Sequence, residues 1–184
     1  MKRFLIGLMV AAVAVIGFGG VGAFAGANGG LQAFGTGTVT ITGVDSATIV
    51  NASGQFGGVY IQSKTQSGMP LSAVNFSFVS FGDVTGGAPR FSLPINTDGG
   101  GGSVAGYAFI DAHGCGATVG PNTTVSTTVG TSSSCHVNFL SVDYPTWDAF
   151  VAAVSAGRIA QGHFPFIIAD GAVGSYAVKS IVGL

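Results

Sequence analysis

The chain has 184 residues, of which 7% are charged and 47% hydrophobic; glutamate is absent, glycine occurs 32 times and the formal net charge is −1. With no basic run after Lys2-Arg3, it has no surface to attract nucleic acid or anionic lipid, and its plentiful, patterned apolar residues exclude intrinsic disorder. Without glutamate an H-E-x-x-H zinc site cannot be built, and no G-x-S-x-G or P-loop sequence occurs.

Lys2 and Arg3 precede an uncharged apolar stretch over residues 4–21, and small residues follow at 22–27. That order of basic, apolar and small-residue regions is expected of a secretory signal peptide, cleaved after Ala25 or after Ala27. A retained membrane anchor is the alternative, because the run is long enough to span a bilayer, although its glycines weaken it as a helix. The expected organisation is a leader over 1–25, a flexible glycine-rich spacer over 26–35 and one domain over 36–184, with no membrane span once the leader is removed.

Order is expected to begin after Phe34. Thr38-Val39-Thr40-Ile41-Thr42 alternates as a half-buried strand does, Val39 and Ile41 inward. Further strands are expected over 47–51 and 57–65. In the latter Val59 and Ile61 share one face while Tyr60, Gln62 and Lys64 share the other. Pro70 breaks the chain before 73–81, where Val74, Phe76 and Phe78 alternate with Asn75 and Ser77. Residues 82–87 read as a turn. Phe91, Leu93 and Ile95 mark a strand whose Pro94 cannot donate to a ladder, which places it at an edge.

After the glycine run 99–102 comes an apolar strand over 104–111, with Tyr107 and Phe109 alternating with Ala108 and Ile110. A short hydroxyl-rich strand is expected over 123–129. After Cys135, Val137 and Phe139 take one face and Leu140 and Val142 the other, so that strand is read as buried on both sides or bulged. Trp147, Phe150, Val151 and Val154 stand at helical spacing and predict one amphipathic helix over 146–156, with Thr146 as N-cap, Asp148 in the first turn and Gly157 as C-cap. Phe164, Phe166 and Ile168 then alternate, and 175–182 closes the chain. Nine or ten short strands with one connecting helix predict an all-β, antiparallel β-sandwich or jelly-roll-like fold.

Cys115 and Cys135 are the two cysteines and are expected to form one disulfide in a secreted, extracellular or cell-envelope protein. Facing each other across a regular antiparallel ladder, they would set His113 and His136 on opposite faces. Only a bulge near Gly114 or Gly116 would bring Asp111, His113 and His136 together on a transition metal. Asn96-x-Asp98 has half of a calcium-loop pattern, without the closing glutamate. No cofactor is otherwise implied.

Tyr60 points away from the apolar face of its strand and is a candidate sugar-stacking ring, with Tyr107, Tyr144 and Tyr176 as companions; Trp147 belongs to the helix's core stripe. Arg90 and Asp83 flank a glycine turn, where they would form a surface ion pair or bind a carboxylate or a sugar hydroxyl. At the level of fold class the architecture resembles secreted carbohydrate-binding sandwiches. The functional expectation is a non-enzymatic secreted or cell-surface domain that binds a glycan or other surface polymer, or serves as an envelope or matrix component that self-associates through sparsely charged edges. The alternatives are a secreted glycosidase-like hydrolase using two of Asp111, Asp143, Asp148 and Asp170, or a metal-binding protein.

Overall fold

A computed structural model describes residues 30–62, 67–85, 87–100, 102–171 and 173–182. The expected leader lies outside these residues. Among the described residues no helix is long and apolar enough to cross a membrane.

The molecule is an antiparallel β-sandwich. Its larger sheet follows the order β1 (Leu31–Gly35), β4 (Phe56–Ile61), β12 (Phe166–Asp170), β6 (Arg90–Asn96), β7 (Gly106–Asp111), β9 (Val137–Phe139) and β10 (Val142–Tyr144), with the two-residue β11 (Arg158–Ile159) beside β6. The smaller sheet runs β2 (Thr38–Gly43), β3 (Ser46–Asn51), β13 (Gly174–Val182), β5 (Asn75–Val84) and β8 (Gly120–Gly130). Alternation along each strand supplies the core between them: Val59, Phe91, Leu93, Ile95, Ile110 and Ile167 from one side, Phe76, Phe78, Val129 and Val178 from the other. Phe76 and Phe91 stack across the gap with ring centroids 3.9 Å apart.

Helix α1 (Trp147–Ala153) lies beside β8 and β10, with Trp147 and Phe150 fully buried. It starts where the sequence places it, the Thr146 hydroxyl accepting from the Ala149 N–H at 3.1 Å. Thr146→Ala is therefore expected to lower stability by about 1 kcal/mol and Thr146→Ser by far less, read from denaturant midpoints; equal midpoints for the three chains would remove the cap's role. Gly157 is not a left-handed cap. It is buried where a side chain would meet Leu71 at 2.5 Å and Val154 at 2.7 Å, and close approach is what its lack of a Cβ serves.

Several expectations are corrected. Thirteen strands are described where turn signals suggest nine or ten, because short pieces such as β9, β10 and β11 carry too few residues to show a period. The stretch expected to be a flexible spacer contains β1, which pairs with β4 from Leu31↔Ile61 to Gly35↔Gly57. β5 continues through Gly82 and Asp83, which were read as a turn.

β6 is an interior strand, with Pro94 in its middle. The Pro94 carbonyl accepts from the Ala160 N–H at 2.9 Å, on the side where β12 stops opposite Ser92 and β11 starts opposite Ile95. Antiparallel geometry puts a residue's nitrogen and carbonyl on the same side, so the missing donor falls in the gap between two partners. β9 ends at Phe139, and the chain reverses through Leu140 and Ser141 at φ 51° and 64°, leaving Leu140 exposed rather than buried.

Candidate functional site

The strands that fill the core from the larger sheet present their other face outward. Burial of Val59 and Ile61 turns Tyr60 out; burial of Ile167 and Ala169 turns out Phe166, Ile168 and Asp170; burial of Phe91 turns out Arg90; burial of Ala108 and Ile110 turns out Tyr107 and Phe109; and register puts Ser92 on the same face, covered by its neighbours. Register then aligns Gln32, Tyr60, Phe166, Ser92, Phe109 and Asn138 in one row across six strands. The rings touch in sequence. Phe34 lies 4.4 Å from Tyr60 and 5.5 Å from Phe166, Tyr60 5.6 Å from Phe166, Phe166 5.4 Å from Tyr107, and Tyr107 6.5 Å from Phe109. Gly58 makes room for this array, since a Cβ there would come within 2.5 Å of the Phe34 ring and 2.4 Å of the Ile167 carbonyl.

From β1 to β7 the aromatic array crosses four strand spacings, about 19 Å. Its rings are half-buried; Phe166 meets Phe34, Tyr60 and Tyr107 edge-on, while Phe34 is tilted on Tyr60 and Tyr107 stacks beside Phe109. At one end Arg90 lies over the Phe109 ring at 4.3 Å and donates to Asp170 at 2.6 Å, so the array's cation is balanced in place. The Arg90 Nε and the fully buried Ser92 hydroxyl are without a hydrogen-bond partner among the described residues. At the other end Gln62 donates to Gln32. The arrangement is a long, nearly neutral aromatic strip flanked by amides, suited to apolar ring faces that carry hydroxyls at their rims.

Three residues singled out from sequence, Tyr60, Arg90 and Tyr107, are brought together on this face. Tyr144 is not with them but packs on Phe150 at 5.3 Å, and Tyr176 is fully buried in the smaller sheet, its hydroxyl shifted above the usual range by burial and then by Asp83. Phe34, Phe109 and Phe166 were missed as site residues. Phe109 had a signal, because Tyr107 and Phe109 alternate with two aliphatic residues that suit the core. Phe166 was read with Phe164 and Ile168 as one alternating set with no direction assigned, and the burial of Ile167 and Ala169 turns Phe166 outward.

The other candidates hold local structure. Cys115 and Cys135 are bonded, but from a turn and a loop rather than a facing ladder, because β7 and β9 pair three residues out of that register at Ala108↔Phe139. Asp111 accepts from the Gly114 N–H at 2.7 Å, His136 Nδ1 lies 3.2 Å from Asp143, and His113 is exposed on the intervening turn. Among the described residues no three His, Cys, Asp or Glu side chains converge to hold a metal. Asn96 donates to the Ser103 carbonyl and accepts from the Asp98 N–H, while Asp98 accepts from the Gly100 N–H at 2.7 Å. Asp83 accepts from the Ser175 N–H and Asp148 from the Ser132 N–H, so Arg90 pairs with Asp170 and not with Asp83.

No protein-family model matches the chain, and no curated protein matches it. Among solved structures it is similar to a family 11 carbohydrate-binding module from Clostridium thermocellum in complex with a beta-1,3-1,4-mixed-linked tetrasaccharide. The TM-score is 0.44 with 12% identity, over 88% of this chain and 91% of that one.

Proposed function

We propose that the chain is a non-enzymatic, exported binding domain that lays a glycan, or a surface polymer of the same chemistry, across the aromatic strip of its larger sheet. The observation that carries this reading is the unbroken contact of five aromatic rings over five neighbouring strands. A soluble sheet face has no packing need for such a strip, and rigid rings give contact area at little cost in side-chain entropy. The near absence of free charge suits a neutral partner. The disulfide suits an oxidising compartment, as an exported domain requires.

Retention on a panel of neutral polysaccharides tests the reading. Tyr60→Ala removes the ring at the centre of one half of the strip and is expected to weaken binding about twofold to tenfold, the worth of one aromatic contact. Phe81→Ala, on the outer face of the smaller sheet and 43% exposed, is expected to leave retention unchanged. No retention on any polysaccharide, or equal loss in both variants, would sink it.

A further inference from the structure

Four strands end the two sheets among the described residues: β1 and β10 on the larger, β2 and β8 on the smaller. Three are poor templates for a further strand. β10 has three residues, β1 has five, and β2 has six with its register broken between Ile41 and Gly43. Short strands and bulges are devices by which sheet edges are kept from pairing. β8 has eleven residues and no charged side chain, and it follows β5 in unbroken register from Thr123 to Gly130. Pro121 and the left-handed Asn122, at φ 55°, lie before that regular run.

Which groups of β8 are open follows from one contact. The Thr128 carbonyl oxygen lies 3.1 Å from the Cys135 sulfur and not toward β5. Antiparallel alternation puts the N–H and C=O of Thr124 and Ser126 on that same side, where no described segment pairs with them. Their side chains are exposed, while Val125 and Thr127 are buried in the sandwich. The open run is closed at Asn122 by the register break and at Thr128 by the disulfide, three residues to either side of Val125.

We infer that β8 is a self-association edge, on which a second copy of this chain pairs antiparallel about a two-fold axis at Val125. Thr124 of each copy then stands opposite Ser126 of the other, and each opposed pair exchanges two backbone hydrogen bonds. The open run is symmetric about its own centre, uncharged, and sets hydroxyl against hydroxyl, a favourable cross-strand pair, so its own copy is the strand it fits. Such a contact is isologous and closes at the dimer. It goes beyond the glycan reading, since the aromatic strip lies on the other sheet and stays free in both copies.

Size-exclusion chromatography with light scattering on the purified, disulfide-intact chain tests this. The wild type is expected to run as a dimer that dissociates on dilution. In Ser126→Pro the lost N–H is one that faces away from β5, so the fold is kept and the mass falls by half with an unchanged circular-dichroism spectrum. Thr124→Lys guards the edge with charge and is expected to do the same, which decides the matter should the proline variant unfold. A wild type that is monomeric at every concentration overturns the inference, as does an assembly whose mass neither substitution changes. Polysaccharide retention is a separate readout, and its failure leaves the mass result standing.

Discussion

Phe76→Ala is expected to lower the stability of the domain by about 3–5 kcal/mol, the range found when a large buried aromatic is truncated and the cavity does not collapse. Phe76 has no exposed surface, stacks on Phe91 of the opposite sheet at 3.9 Å and meets Phe78 at 5.9 Å. It stands on β5, which is flanked by β13 and β8, so the backbone around it is held on both sides and cannot close into the space left. Phe81 stands on the same strand with its ring outward, and Phe81→Ala is expected to change stability by less than about 0.5 kcal/mol. Guanidinium unfolding of the two variants and the wild type reads the difference. If Phe76→Ala cost as little as Phe81→Ala, the two sheets would not be packed through that stack.

Loss of the Cys115–Cys135 bond is expected to lower stability by about 3 kcal/mol, the chain-entropy value for a loop of this size. The 20-residue separation is not a simple hairpin, because between the cysteines the chain leaves the larger sheet, contributes β8 to the smaller one and returns for β9. The bond therefore closes a loop that spans both layers. Its removal is expected to loosen β8 along with the loops that carry the sulfurs. Wild type under reductant and the Cys115→Ala/Cys135→Ala double variant should both show a lowered denaturant midpoint, and amide exchange should accelerate over residues 112–135 before the rest of the core. An unchanged midpoint after complete reduction would mean that packing alone holds that excursion.

Much of the sandwich was legible because burial imposes a period on the chain. Val39 and Ile41, Val74, Phe76 and Phe78, and the spacing of Trp147, Phe150, Val151 and Val154 each point to one face, and that face is the one turned to the core. Where both faces of a strand carry apolar side chains, the period gives no direction. The alternation of Phe164, Phe166 and Ile168 therefore left their face open, and it is the burial of Ile167 and Ala169 that sends Phe166 to the outer strip. Leu140-Ser141 carries none of the Asn-Gly chemistry of a two-residue hairpin, so a turn with both residues at positive φ was invisible. The rule that proline belongs to edge strands failed at Pro94 because it tests one nitrogen against one neighbour, and the neighbour changes there.

The candidate site was legible only in fragments. Tyr60, Arg90 and Tyr107 were visible as polar or aromatic side chains facing away from apolar neighbours, but 47 residues separate Tyr60 from Tyr107 in the chain, and only pairing brings their strands into one sheet.

By itself the sequence determined that the chain builds an all-β sandwich with one capped helix and one disulfide, because those features are written in local alternation, helical spacing and the presence of a single cysteine pair. Only the tertiary structure decided which face of each ambiguous strand meets the core, that five rings from four separate strands form one strip, and that β8 ends the smaller sheet. The physical reason is that strand order and register arise from contacts between residues far apart in the chain, which no local period encodes.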